Sequence, residues 1–120
     1  MEQSILLSTK KILGLDEAYE AFDLDVITHI NSAFFVIHQL GIGPVDGFEI
    51  EDSSAEWGDF VYDGDLTMLN MIKTYVFLKV SILFDPPQMG YLIDLKTKQL
   101  QEAEWRLTVA REEEVDLNVE

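Results

Sequence analysis

The chain has 120 residues, 48% of them hydrophobic, no cysteine, and a net charge of −15 from 23 acidic and 8 basic side chains. That length and composition describe one globular domain with a single core, and the missing cysteines exclude disulfides, thiolate metal sites and cysteine nucleophiles. No Lys or Arg falls between Lys11 and Lys73, which argues against direct nucleic-acid binding, since that needs cations on phosphate; such acidity serves either solubility or a surface that faces DNA without adhering to it.

The start, MEQSILLSTKK, has no basic segment ahead of a long apolar run, so it does not read as a signal peptide and the chain is expected to stay where it is made. Ile5 to Leu13 predicts a short helix with Ile5, Leu6, Thr9, Ile12 and Leu13 on one face and Gly14 just past its end. Lys10 and Lys11, in its last turn, suit the helix dipole. Such a short helix must dock on something larger. Leu15 to Phe22 is an acidic connector.

A second helix is expected from about Asp23 to Leu40, with Asp23 as its cap and Asp25 in the first turn. Its core stripe is Val26, Ile27, Ile30, Ala33, Phe34, Ile37 and Leu40, and Gly41-Ile42-Gly43-Pro44 is a turn signal. Pro44 to Asp65 is the least helical part. Phe48 and Ile50 alternate with Glu49 and Glu51, suggesting a short extended piece. Ser53 or Ser54 can cap a one- or two-turn helix that carries Ala55, Trp57 and Phe60 into the core.

Asp65 to Pro87 is the stretch the rest packs around. Leu66, Leu69, Ile72, Val76, Val80 and Leu83 share one helical face, and Met68, Met71, Tyr75, Leu78 and Ile82 widen it, so this helix is buried on most sides. Asp65 is placed to cap it, and Pro86-Pro87 stops it. Lys73 and Lys79 would each cost roughly 2.5–3.5 kcal/mol near mid-bilayer, which excludes a membrane span. The last helix, from about Gln88 to Glu112, turns Leu92, Leu100, Ala103, Leu107 and Ala110 inward. Asp94–Lys98 and Glu102–Arg106 are spaced as ion pairs. Trp105 leaves this helix at another angle, toward core or interface.

The tail, residues 113–120, changes period: Val115, Leu117 and Val119 alternate with polar residues. Ordering eight residues costs on the order of 8–16 kcal/mol of backbone entropy, while burying three aliphatic side chains returns roughly 5–9 kcal/mol. It therefore reads as a mobile segment, either a frayed acidic terminus or one that adds a strand to a partner's sheet edge. Residues 1–112 form the helical domain. The expected fold is all-α: about four helices around a buried central one, with an irregular acidic insertion and an extended C-terminal tail.

The sequence holds no constellation for catalysis. His29 and His38 lie nine residues apart on one helix and point to opposite faces, so they cannot share a metal ion. Asp63-Gly64-Asp65 resembles part of a calcium loop but lacks its further ligands. There is no Gly-rich phosphate loop, GxSxG elbow or HExxH motif. No cofactor or metal is expected.

Taken together, residues 22–44 (FDLDVITHINSAFFVIHQLGIGP), 55–60 (AEWGDF), 75–87 (YVFLKVSILFDPP) and 102–107 (EAEWRL) resemble the head–tail connector (adaptor) proteins of long-tailed bacteriophages. The likeness spans most of residues 4–111. It implies a small, all-helical, non-enzymatic virion protein, made in the host cytoplasm, that forms a symmetric ring of about twelve copies in the neck. The partners implied are the portal, neighbouring copies, the next neck or tail-completion protein, and DNA that passes without specific binding; no membrane is involved. The residues singled out for partner binding are Val115, Leu117, Val119 and Trp105. Glu49, Glu51, Asp52 and Glu56 are those singled out for the channel or a ring contact. Competing readings are a tail terminator or stopper, which commonly carries β-structure, a DNA-mimicking inhibitor, whose acids would line up at phosphate spacing, and a metal-dependent hydrolase.

Overall fold

A computed structural model describes residues 4–44, 46–60, 66–85 and 89–118. Five helices account for its regular structure: α1 (Ile5–Ile12), α2 (Asp23–Gln39), α3 (Trp57–Phe60), α4 (Leu66–Phe84) and α5 (Gly90–Asn118). The all-α architecture is as the sequence predicts. The Asp63–Asp65 turn and cap, the Pro86-Pro87 stop and Val119 lie outside the described residues.

The central position of α4 follows from its nearly continuous apolar sequence. Its main neighbours are α2 and α5, with a smaller contact to α1, which also packs on α2. Ile72, Tyr75, Val76 and Val80 of α4 meet Val26, Ile30, Ala33, Phe34 and Ile37 of α2 in one buried cluster. Among the described side chains of α5, Leu107 is fully inside it, with Leu100 and Ala103 alongside. Leu83 departs from the expected face and is 40% exposed. In the last turn of α4 the inward contact is made by Phe84, whose ring stands edge-on to Phe22 at 5.5 Å. Its chain neighbour, about 100° round the helix, is thereby left outward.

Two helix starts differ from expectation. Asp23 does not cap α2: the cap position is Phe22, which makes no side-chain cap bond. The Asp23 carboxylate instead lies 2.8 Å from Lys10 Nζ. Ser53 and Ser54 do not cap α3. Asp52 accepts both the amide and the hydroxyl of Ser54 in a local turn, and Asp59 of α3 reaches back to accept the Glu56 amide at 2.9 Å. Short acidic side chains here bond to nearby donors in local turns, or to a cation, in place of capping the helix that follows them.

α1 is capped by Ser4, whose Oγ accepts the Leu7 amide, and Gly14 follows its end at φ +80°, where a Cβ would be strained. Ile12, expected inside, is 57% exposed, whereas Lys10 is buried. The two residues flank the apolar face on opposite sides, and the acidic connector folds back over the Lys10 side.

α5 runs to Asn118. Residues 113–118 are therefore helical where the alternating pattern predicts an extended tail. Extending an existing helix adds a hydrogen bond for each residue fixed, and an unpaired strand offers no such return. At 29 residues the helix is about 43 Å long, close to the 49 Å longest dimension of the molecule.

Candidate interaction surfaces

Residues 46–60 have little regular structure, yet they are held at several points. Asn31 on α2 grips Ile50 twice: its amide nitrogen donates to the Ile50 carbonyl at 3.0 Å and its oxygen accepts the Ile50 amide at 2.8 Å. One side chain thus stands in for a missing strand neighbour. Ile50 itself is buried, so the alternation seen in the sequence correctly separates inward Ile50 from outward Glu49 and Glu51. The Ile5 amide donates to Ala55 O at 3.0 Å, and Ser4 pairs with Glu56 in an isolated antiparallel bridge.

Trp57 and Phe60 anchor the segment as expected. Phe34 packs against Phe48, Phe60 and Trp57 at ring separations of 4.9, 5.0 and 6.3 Å. Trp57 also meets Phe77 edge-on at 5.7 Å and donates its indole N–H to Ser8 Oγ at 2.9 Å. Lys73 Nζ stands 5.5 Å from the centre of the same ring, an arrangement that favours the cation. Gly43, at φ +91°, is irreplaceable for a second reason: a Cβ there would lie 2.7 Å from the Phe60 ring.

This anchoring leaves Glu49, Glu51, Asp52 and Glu56 exposed, together with Asp46 and Asp59. They form an acidic outer surface on a fixed backbone. The Asp52 carboxyl is held below the usual range by its hydrogen bonds from Ser54. His38 borders a cleft of about 330 Å³ on this side with Asn31, Phe35, Asp46 and Glu49, and His29 is not part of it. Among the described residues no cluster of three or more His, Asp or Glu side chains is placed to hold a metal ion.

The feature that sequence reasoning missed is Lys10. Its ammonium donates to the Tyr19 carbonyl at 2.7 Å and the Glu17 carbonyl at 3.0 Å, and it meets Asp23 at 2.8 Å. Two carbonyl hydrogen bonds and one carboxylate ion pair thus answer the charge of a side chain only 1% exposed. The connector between α1 and α2 is tied down by this one cation. The available signal was spacing: Lys10 follows Leu6 by four residues and precedes Leu13 by three, on the flank of the apolar face.

α5 is built differently. On its inner side Glu104 accepts the Tyr75 hydroxyl at 3.0 Å, and Arg111 Nε donates to Gly41 O at 2.6 Å. Burial, with the hydrogen bond to Glu104, pushes the Tyr75 phenol far above its ordinary range. On the outer side, Glu102 pairs with Arg106 at 2.6 Å, as spaced, while Asp94 and Lys98 form no ion pair. Trp105 is 65% exposed and Tyr91 64%, so Trp105 belongs to the surface and not the core. Between α4 and α5 runs a groove of about 390 Å³, lined by Asn70, Met71, Thr74, Leu78, Gln99 and Arg106 among others. Of the residues singled out for partner binding, Trp105, Val115 and Leu117 all fall on α5.

A sequence profile described as phage connector protein matches residues 5–114. The chain belongs to the phage connector protein family. The match takes in every described helix except the end of α5. No curated protein and no solved structure matches the chain. Membership makes this connector a structural protein of the phage neck, in a typically non-enzymatic class that meets portal and neck or tail proteins. No described helix is long and apolar enough to cross a membrane, in line with the two lysines inside α4.

Proposed function

We propose that this connector forms a ring beneath the portal of the filled head, extending the DNA channel and offering a platform to the next neck or tail-completion protein. The family match carries this reading. The charge pattern supports it: among the described residues from 12 to 72 there is no Lys or Arg, and the acids of the 46–60 segment point outward from an anchored backbone. A wall of that sign repels the phosphates of passing DNA and lets it slide. Glu49, Glu51, Asp52 and Glu56 are assigned to the channel wall or to the contact between copies.

The C-terminal segment, residues 113–120, is assigned to docking on the portal or a neighbouring copy through Val115, Leu117 and Val119, with Trp105 extending the same contact. Helical content favours an adaptor over a terminator or stopper rich in β-structure. Deleting residues 113–120 is expected to leave helicity and unfolding nearly unchanged and to abolish attachment to portal-bearing heads. Attachment of the truncated protein at the full level would remove the segment from the interface. Self-assembly is opposed by the net charge of −15 and is expected to be eased by added salt.

A further inference from the structure

Six outward positions on α5, namely Tyr91, Leu95, Lys98, Glu102, Trp105 and Val109, are separated by four, three, four, three and four residues. That is the spacing of a two-helix seam, in which side chains of one helix fit between those of another. Within the described fold no residue of the stripe is fully buried, and the side-chain bond made from it is that of Glu102 to Arg106 of its own helix. The first five of these residues are exposed and Val109 is half-buried, and the main packing partner of α5, α4, lies on the other side. We propose that this stripe pairs two copies of the free protein through an antiparallel contact between their α5 helices.

The order of chemistry along the stripe selects both the partner and the direction. It reads aromatic, aliphatic, cation, anion, aromatic, aliphatic. When the helix is laid antiparallel on itself with a two-fold axis beside Leu100, Tyr91 faces the second copy's Val109 and Leu95 faces its Trp105. Lys98 then faces the second copy's Glu102, and this happens twice by symmetry. Every apolar residue meets an apolar one and every charge meets its opposite. A parallel pair in register would set Lys98 on Lys98 and Glu102 on Glu102. Sliding the antiparallel pair by one heptad would set Lys98 against Val109 or Leu95 and leave its charge unanswered. Glu102 already receives Arg106 on Oε1, and a carboxylate has capacity for a second donor.

The area is modest. A fully buried aromatic side chain covers roughly 150–250 Å², and Tyr91 and Trp105 are 64% and 65% exposed. The four rings of a pair thus bring ~400–650 Å². With Leu95, Val109 and the stems of Lys98 and Glu102, the total comes near the ~1,000 Å² at which a specific interface begins. The pair is accordingly weak and concentration-dependent, and the net charge makes it weaker at low salt. It covers Trp105 until another protein takes the stripe, and it holds whether or not the same chain later joins a ring.

Sedimentation of the purified full-length chain over a range of concentration at about the salt level of the cell tests the proposal. The wild-type protein should shift from monomer toward dimer as concentration rises. Lys98→Glu and Glu102→Lys should each cut the dimer fraction at least several-fold, and the double charge reversal should restore it. Glu102→Lys is decisive, because it lowers the net negative charge and would promote any association governed by overall repulsion alone. A wild-type chain that stays monomeric at every concentration, a Glu102→Lys protein that associates more strongly, or a double variant that fails to recover would each overturn the pairing. Far-ultraviolet circular dichroism of each exposed-site variant keeps folding and pairing separate.

Discussion

Residues 4–60 and the helix α5 are stabilised in different ways. The N-terminal part holds α1, α2, the one-turn α3 and a long irregular segment, and it is tied at many points by side chains that reach beyond their own element. Ser4, Ser8, Lys10, Asn31 and Trp57 each bond to backbone or side chain elsewhere in this half. α5 is the longest element, and among its described side chains Leu107 is the fully buried one, while Tyr91, Leu95 and Trp105 stay in water. Regularity and anchoring are thus separated in this molecule. The irregular half is fixed by what it buries, and the regular arm keeps an apolar outer stripe for which the fold itself has no use.

The sharpest way to break that contrast is to cut the anchors. Trp57→Ala removes a side chain that touches Phe34, Phe77, Ser8 and Lys73, and should cost about 3–5 kcal/mol of stability in denaturant unfolding. Next comes Lys10→Ala. It leaves two carbonyls and the Asp23 carboxylate without their cation, and should cost about 3 kcal/mol, the lower end for a broken buried pair because Asp23 keeps some water access. The same variant should free the 13–22 connector, seen as faster amide exchange there. If Lys10→Ala unfolds at the wild-type midpoint, the connector is held by something other than the buried ammonium.

The opposite expectation applies to the arm. Trp105→Ala and Tyr91→Ala should each change stability by less than about 0.5 kcal/mol, as exposed substitutions do. The first should nonetheless weaken attachment to portal-bearing heads. A large loss of stability in either would mean that the outer stripe is part of the core after all.

How much of this was legible beforehand depended on whether a residue acts through periodicity or through a partner distant in the chain. The helices, the stripe of α2 and the inward turn of Trp57 and Phe60 all follow from spacing within a few residues, and they were predicted. The family likeness rested on the order of such segments and was legible for the same reason. Lys10 was read as a dipole companion because its acceptors, Glu17, Tyr19 and Asp23, are brought to it only by the fold of the connector. Asn31 was likewise silent, since its two bonds to Ile50 cross 19 residues. The end of α5 is not legible from its alternating pattern, which carries no account of the helix already running into it. The surfaces assigned to partners rest on the alternation of the tail, the angle of Trp105 and the acidity of the 49–56 stretch, and none of these encodes which exposed residue a partner covers.

The smallest expected effect concerns pH on the acidic surface. The folded-state pKa of Asp52 is depressed by the Ser54 hydrogen bonds, below its ordinary 3.8. Its contribution to stability is therefore fully present above that value and is lost as pH falls through the folded pKa. Ser54→Ala should move the Asp52 carboxyl resonance titration back toward the ordinary range, with little change in unfolding at neutral pH because the group is fully exposed. An unchanged titration would show that the hydroxyl does not set it.

The most direct test of the whole account is to image mature infectious particles by cryo-electron microscopy at a resolution that shows helices. A closed ring is expected at the junction of portal and tail, into which α2, α4 and the long α5 of this chain fit, with the acidic 46–60 segment against the channel or the neighbouring copy. Particles that are infectious and contain no copy of the chain, or a neck ring built from strands at that position, would contradict it.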